Sequence, residues 1–135
     1  DIGYRAITRE KTMADGGGIY TYSARDSPGS GVTSISNCTI FGNTGGDFGA
    51  GGIETSERNP GTEVLRNTIV AGNLASRTAS DVAGIIETAS HNLIGDAASS
   101  GGIQNGVNGN IVGIGPRLGP LRNNGGTTST HALRP

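Results

Sequence analysis

Aromatic side chains, cysteines and an excess of charge of either sign are all scarce in this sequence. Aromatic residues make up 4% of the 135 residues and tryptophan is absent, so large rings cannot supply the bulk of a core. A net charge of −1 gives no electrostatic basis for binding nucleic acid. No stretch has the length and hydropathy of a transmembrane helix or a signal peptide, so membrane insertion is not expected.

The single cysteine, Cys38, excludes an intrachain disulfide. It stands between Asn37 and Thr39 in a strand-like pattern. Because free cysteines are usually buried and behave as small apolar side chains, this position predicts an inward packing role.

Glycine, in contrast, is abundant, with 25 residues, and it takes part in a repeat. Asn37-Cys-Thr-Ile-Phe-Gly-Asn43 returns as Asn67-Thr-Ile-Val-Ala-Gly-Asn73, a spacing of about 30 residues that is typical of stacked repeat proteins. Gly-Gly-Ile occurs at 17–19, 51–53 and 101–103. Short strands, glycine turns and recurring asparagines predict an all-β chain wound into stacked coils, a β-solenoid.

The repeat divides the chain into three parts. Residues 1–15 carry dense charge and predict an opening coil or a cap, and residues 16–113 hold the repeats. Residues 114–135 are rich in proline and glycine, which predicts an irregular wrap over the solenoid. Polar insertions at 24–31 and 56–61 fall at equivalent places in two repeats, where they would project on one side and form a contact surface.

The repeated motif assigns structural roles to six residues. Asn37 and Asn67 are predicted to turn corners in left-handed geometry and to stack their amides along the axis, as in cross-β ladders. Asn43 and Asn73 close the same motif and are also expected to be structural. Ile40 and Val70 are predicted to point into the core, following the alternation of a half-buried strand.

Candidate catalytic residues are few and scattered. Asp15, Asp47, Glu54 and Asp81 are the acids that could pair across adjacent coils at a glycosidase separation of ~5–9.5 Å; the alternative is that they are solvated turn residues or backbone caps. His91 and His131 lack ligand-spaced partners and are expected to form structural hydrogen bonds. No cofactor is expected, and calcium is the one ion that the spread of acids leaves open.

The motif Asn-x-x-Ile/Val-x-Gly-Asn followed by Gly-Gly-Ile, over about residues 16–113, resembles the right-handed parallel β-helix repeat proteins of bacterial cell surfaces, which share the pectate-lyase-like fold. The closing run Leu118-Gly-Pro-Leu-Arg-Asn-Asn-Gly-Gly-Thr127, with Thr130-His-Ala-Leu-Arg-Pro135, resembles the C-terminal stretch of the choice-of-anchor group. The resemblance implies a secreted or surface-attached right-handed parallel β-helix, and a fragment of a longer chain. It does not imply an enzyme, because fold alone does not assign function.

These observations favour a non-catalytic extracellular module with a structural, adhesive or surface-display function. Its insertions would contact polysaccharides or cell-surface proteins. One alternative is a carbohydrate-active enzyme, either a polysaccharide lyase or a glycoside hydrolase, or a fragment of one. Another is self-assembly into homo-oligomers through the unpaired strand edges of the terminal coils.

Overall fold

A computed structural model describes residues 17–21, 31–46, 49–55 and 62–135. The predicted opening segment and the insertion 56–61 lie outside these residues, as does most of the insertion 24–31. In chain order the strands are β1 (Ile19–Thr21), β2 (Val32–Ser36), β3 (Thr39–Phe41), β4 (Thr44–Gly45), β5 (Ile53–Thr55), β6 (Thr62–Arg66), β7 (Ile69–Ala71), β8 (Leu74–Ala75), β9 (Thr78–Ala79), β10 (Val82–Ala83), β11 (Thr88–Ser90), β12 (Leu93–Ile94), β13 (Ile111–Val112), β14 (Leu118–Arg122) and β15 (Thr130–Leu133).

The described part of the chain is all-β, as predicted, with a single 3-10 turn at Val107–Gly109 and no α-helix. It therefore offers no helix of the length and apolarity needed to cross a membrane.

Three parallel sheets each take one strand from successive segments of the chain. They run β1-β5-β10, β2-β6-β11 and β3-β7-β12-β13. We call the segments tiers: tier 1 holds β1 to β4, tier 2 holds β5 to β8, tier 3 holds β10 to β12, and tier 4 holds β13 with the bridge that Ser100 makes to Val82. Parallel sheets and stacked tiers together give a layered body.

The core lies between the sheets and is built from aliphatic residues in register. Ile40 stands opposite Val70, Val70 opposite Ile94, and Ile94 opposite Val112. Val70 and Ile94 are fully buried, and Ile40 is buried as well. Burying one such side chain stabilises the fold by about 1.5–3 kcal/mol. The core is therefore a stack of small aliphatic side chains, as the scarcity of aromatic residues requires.

The Gly-Gly-Ile motif marks a close approach between tiers. A Cβ atom at Gly18 would collide with the carbonyl oxygen of Gly52, and one at Gly52 with the carbonyl oxygen of Asp81. The third copy of the motif behaves differently, since Gly101 and Gly102 adopt positive φ angles of 63° and 80°. The first two copies are needed for backbone packing, whereas the third forms a turn.

The prediction of an irregular C-terminal wrap is wrong, because residues 118–133 contain an antiparallel hairpin of β14 and β15. Its register shifts between Leu118 and Leu121, next to Pro120. An irregularity at this point accommodates the missing N–H of proline. The side-chain Nδ2 of Asn124 donates to the carbonyl of Thr130 over 2.8 Å and fixes the turn. The rings of His131 and Phe41 meet edge to face at 5.2 Å, so the hairpin reaches back to tier 1.

Candidate functional site

Two of the four acids suggested by the sequence, Asp15 and Asp47, lie outside the described residues. Glu54 is partly exposed in the middle of β5, where the alternation of burial turns it away from the core. Asp81 is buried. Its Oδ1 accepts hydrogen bonds from the backbone N–H and the Nδ2 of Asn73, and its Oδ2 accepts one from the N–H of Asp96. Asp81 therefore acts as a backbone cap, which was the structural alternative.

Asp81 belongs to a column of polar side chains that we call the Asn73 ladder, formed by Asn43, Asn73 and Asp81. The Oδ1 of Asn73 accepts from the backbone N–H and the Nδ2 of Asn43, at 3.0 and 3.1 Å. The Nδ2 of Asn73 donates to the carbonyl of Ile40 and to Asp81 Oδ1, at 3.0 and 2.9 Å. One buried amide thus joins three tiers, and its donors and acceptor are all paired.

A second column, the Asn92 ladder, is formed by Thr68, Asn92 and Asn110 and has the same geometry. Asn92 Oδ1 accepts from the N–H of Thr68, and Asn92 Nδ2 donates to the carbonyl of Leu65 and to Asn110 Oδ1, at 3.0, 2.8 and 3.0 Å. Both ladders bind backbone groups in neighbouring tiers, so their buried polar side chains hold the tiers in register.

The prediction that Asn37 and Asn67 stack their amides is wrong. Both residues adopt the predicted left-handed conformation, with φ angles of 57° and 49°. Both side chains are exposed, and among the described residues neither amide makes a side-chain hydrogen bond. Their role is to set the bend in the backbone, and His91 takes the same conformation one tier further on, with φ of 56°. Stacking is carried by Asn43 and Asn73, at the other end of the motif.

Cys38 is exposed, so the prediction of an inward role is also wrong. It holds the position that Thr68 holds in tier 2, and its N–H donates to Thr68 Oγ1 at 3.3 Å. Its thiol donates to the carbonyl of Ser36, as the Thr68 hydroxyl does to the carbonyl of Arg66. Tiers 1 and 3 cover Thr68 on both sides. Cys38 is in the outermost described tier, where no other described tier covers its far side.

A groove of about 410 Å³ runs between the stack and the C-terminal segment. We call it the tail groove; it is lined mainly by Phe41, Ala71, Gly72, Gly95, Asp96 and Pro116, with Asp81 beneath. Its volume lies within the range of small-molecule sites. The N–H of Ala98 and the hydroxyl of Ser99 both donate to the Asp96 carboxylate. This groove is the candidate contact site on the described surface.

A second feature is a pair of glutamates at the corner between the first two sheets. Glu63 is 4% exposed on β6, and its Oε1 accepts a hydrogen bond from the Thr21 hydroxyl at 2.9 Å. Glu87, one tier further, accepts the N–H of Glu63 on its Oε2 at 2.7 Å. Burial raises the pKa of Glu63, the hydrogen bond from Thr21 lowers it, and the Glu87 carboxylate raises it further.

Sequence reasoning did not single out Glu63, Asp96 or Phe41 as site residues. A usable signal existed for Glu63, because strict alternation along Thr62–Arg66 puts it on the same side as Leu65. The tail groove had no such signal, since it depends on where the C-terminal segment returns.

Among the described residues no group of three or more histidine, cysteine, aspartate or glutamate side chains could hold a metal ion. Compared with protein-family models, curated proteins and solved structures, the chain matches none of them.

Proposed function

We propose that the chain is a right-handed parallel β-helix that serves as a non-catalytic structural, adhesive or display segment of a secreted or surface-attached bacterial protein. The parallel tiers support the β-helix part of this proposal. The likeness of the repeat and closing motifs to choice-of-anchor proteins supports the surface part.

The observation that carries the non-catalytic role is the use of buried polar side chains. Asn73, Asp81, Asn92 and Asn110 each bind backbone groups of another tier or of their own turn. A catalytic acid has to reach a substrate within hydrogen-bond distance. The Asp81 carboxylate, held on both oxygens by Asn73 and Asp96, instead ties tier 2 to tier 3. Polar groups that hold the tiers in register suit a rigid scaffold that presents surfaces to a partner.

The tail groove favours one further candidate, an enzyme that acts on polysaccharides. Phe41, Asp81 and Asp96 all line this groove, and a pair of carboxyl groups is what most glycosidases use.

The test is the release of new reducing ends from a panel of neutral and acidic polysaccharides, with and without calcium. We expect no release. Release that disappears in Asp96→Asn, but persists in Glu54→Gln as a charge-matched control away from the groove, would establish the enzyme and reject the non-catalytic role.

A companion measurement addresses assembly. The mass of the protein in solution distinguishes a monomer from oligomers that pair through the edges of terminal tiers. A separate measurement addresses glycan contact. If an affinity gel carrying polysaccharide retains the protein, and Phe41→Ala reduces that retention, the tail groove is the contact site.

A further inference from the structure

Glu63 is a buried carboxyl group with one unsatisfied oxygen. It lies on the same side of β6 as Leu65, and only 4% of it is exposed. Thr21 satisfies Oε1, but Oε2 has no hydrogen-bond partner. An ionised carboxylate buried in this way is costly, because each buried charge needs donors to replace lost water.

The neighbouring carboxyl makes ionisation harder still. Glu87 lies in tier 3 directly beyond Glu63, since Val64 pairs with Thr88. Its Oε2 accepts the backbone N–H of Glu63, which brings the Glu87 carboxylate to the corner where the Glu63 side chain is buried. Glu87 is the only described charged group that acts on the Glu63 carboxyl. Glu54, on the adjacent β5, is on the outward side of that strand.

A metal ion is a poorer explanation for the open oxygen than a proton. Calcium takes six to eight oxygen ligands. The corner offers two carboxyl groups and the Thr21 hydroxyl, and the described residues include no third acidic or histidine ligand for them. A proton on Oε2 needs only one acceptor and removes the buried charge.

We propose that Glu63 carries a proton in the folded protein and shares it with Glu87, so that this corner is an acid-stabilised joint between tiers. The joint links Thr21 in tier 1, Glu63 in tier 2 and Glu87 in tier 3. β1 ends at Thr21 and β6 begins at Thr62, so the joint lies where both insertions attach to the stack.

The direction of the pH effect follows from the raised pKa of Glu63. The folded state holds this proton more tightly than the unfolded chain does. The stability that it contributes is fully present below the ordinary pKa of 4.5, and it is lost as the pH rises through the raised value in the folded protein.

The experiment is a carboxyl ¹³C NMR titration of Glu63 in the whole chain, joined to urea denaturation between about pH 4 and pH 8. We expect Glu63 to titrate above its ordinary value and the denaturation midpoint to fall as pH rises. Glu63→Gln should flatten that fall and raise the midpoint at the alkaline end. Glu54→Gln, a matched charge removal on β5, should keep the fall.

Glu87→Gln distinguishes a shared proton from simple burial, since it should move the titration of Glu63 to lower pH. An unmoved titration would overturn the sharing. A Glu63 that titrates at its ordinary value would overturn the proposal even if the Glu63→Gln variant fails to fold. Calcium chloride that raises the denaturation midpoint in the wild type, but not in Glu63→Gln, would overturn it in favour of a metal site.

Discussion

The first two tiers and the last two keep the same ladder geometry, although the length of chain between stacked residues falls. At the position of the Asn92 ladder, where Cys38 is the residue of tier 1, stacked residues are 30 positions apart between tiers 1 and 2, 24 between tiers 2 and 3, and 18 between tiers 3 and 4. The last tier also differs in what stacks beyond β11: in place of another strand, the 3-10 turn Val107–Gly109 lies next to it, and the N–H of His91 donates to the carbonyl of Asn108. A few ladder and core positions, and not the coil length, specify the stack.

Tier 1 also differs from tier 2 in the burial of its core residues. Ile35 and Ile40 in tier 1 keep 8% and 7% exposure, whereas Leu65 and Val70 in tier 2 keep none. Tier 2 is covered on both sides by described tiers. A residue in the middle should therefore tolerate change less than its partner one tier away.

The largest effect is expected for Val70→Asp. An unpaired charge would be placed in a core position with no exposure, at an expected loss of about 5 kcal/mol or more, which is close to the whole stability of a small domain. Ile40→Asp, its register partner, should also unfold the stack but retain more residual structure. Circular dichroism with urea denaturation measures both. Cooperative unfolding unchanged in both variants would contradict their place in the core.

A smaller effect is expected for Asn73→Ala, by about 2–4 kcal/mol. It leaves the carbonyl of Ile40 and the N–H of Asn43 without their side-chain partner and removes one of the two hydrogen bonds to Asp81 Oδ1, and each buried unsatisfied group costs about 1–3 kcal/mol. Asn43→Ala, at the end of the same ladder, should cost about 1 kcal/mol. Equal losses of stability in the two variants would show that the middle residue of the ladder contributes no more than the end residue.

The smallest effect is expected at the corner residue Asn67. Asn67→Gly should change the free energy of unfolding by less than about 0.5 kcal/mol, because the exposed amide contributes only its tolerance of a φ of 49°. Asn67→Val should cost about 1–2 kcal/mol, since a branched side chain resists this conformation. Thermal melts compare the two variants. A larger loss of stability for Asn67→Gly than for Asn67→Val would show that the Asn67 amide forms a stabilising hydrogen bond.

The sequence predicted the all-β class, because this depends on local patterns of residues. Alternation placed Ile40 and Val70 in the core, and the recurrence of asparagine at 37 and 67 marked the corners. It could not say which asparagine of the motif points inward. Asn37 and Asn43 are both polar residues at bends, and only the contact with Asn73 in the next tier separates them.

The candidate sites were less accessible to sequence reasoning for the same physical reason. The tail groove forms only because residues 115–116 pack against the stack. The hairpin forms only because Leu118 pairs with Leu133. The exposure of Cys38 depends on which residues far along the chain cover its tier. These features depend on contacts between residues that are far apart in the sequence, so no short stretch of the sequence predicts them.

The Asn73 ladder also has a polarity and an end. Each asparagine amide passes a hydrogen bond onward from its Nδ2, from Asn43 to Asn73 and from Asn73 to Asp81. The Asp81 carboxylate only accepts, so it cannot relay the chain of donors to a further member. An asparagine at position 81 would have an Nδ2 donor for a further member, whereas the aspartate ends the series of amide donors. The two ladders therefore end in different ways: the Asn73 ladder ends on an acceptor, whereas the last member of the Asn92 ladder, Asn110, uses its Nδ2 to bind the carbonyls of Ala89 and Val107.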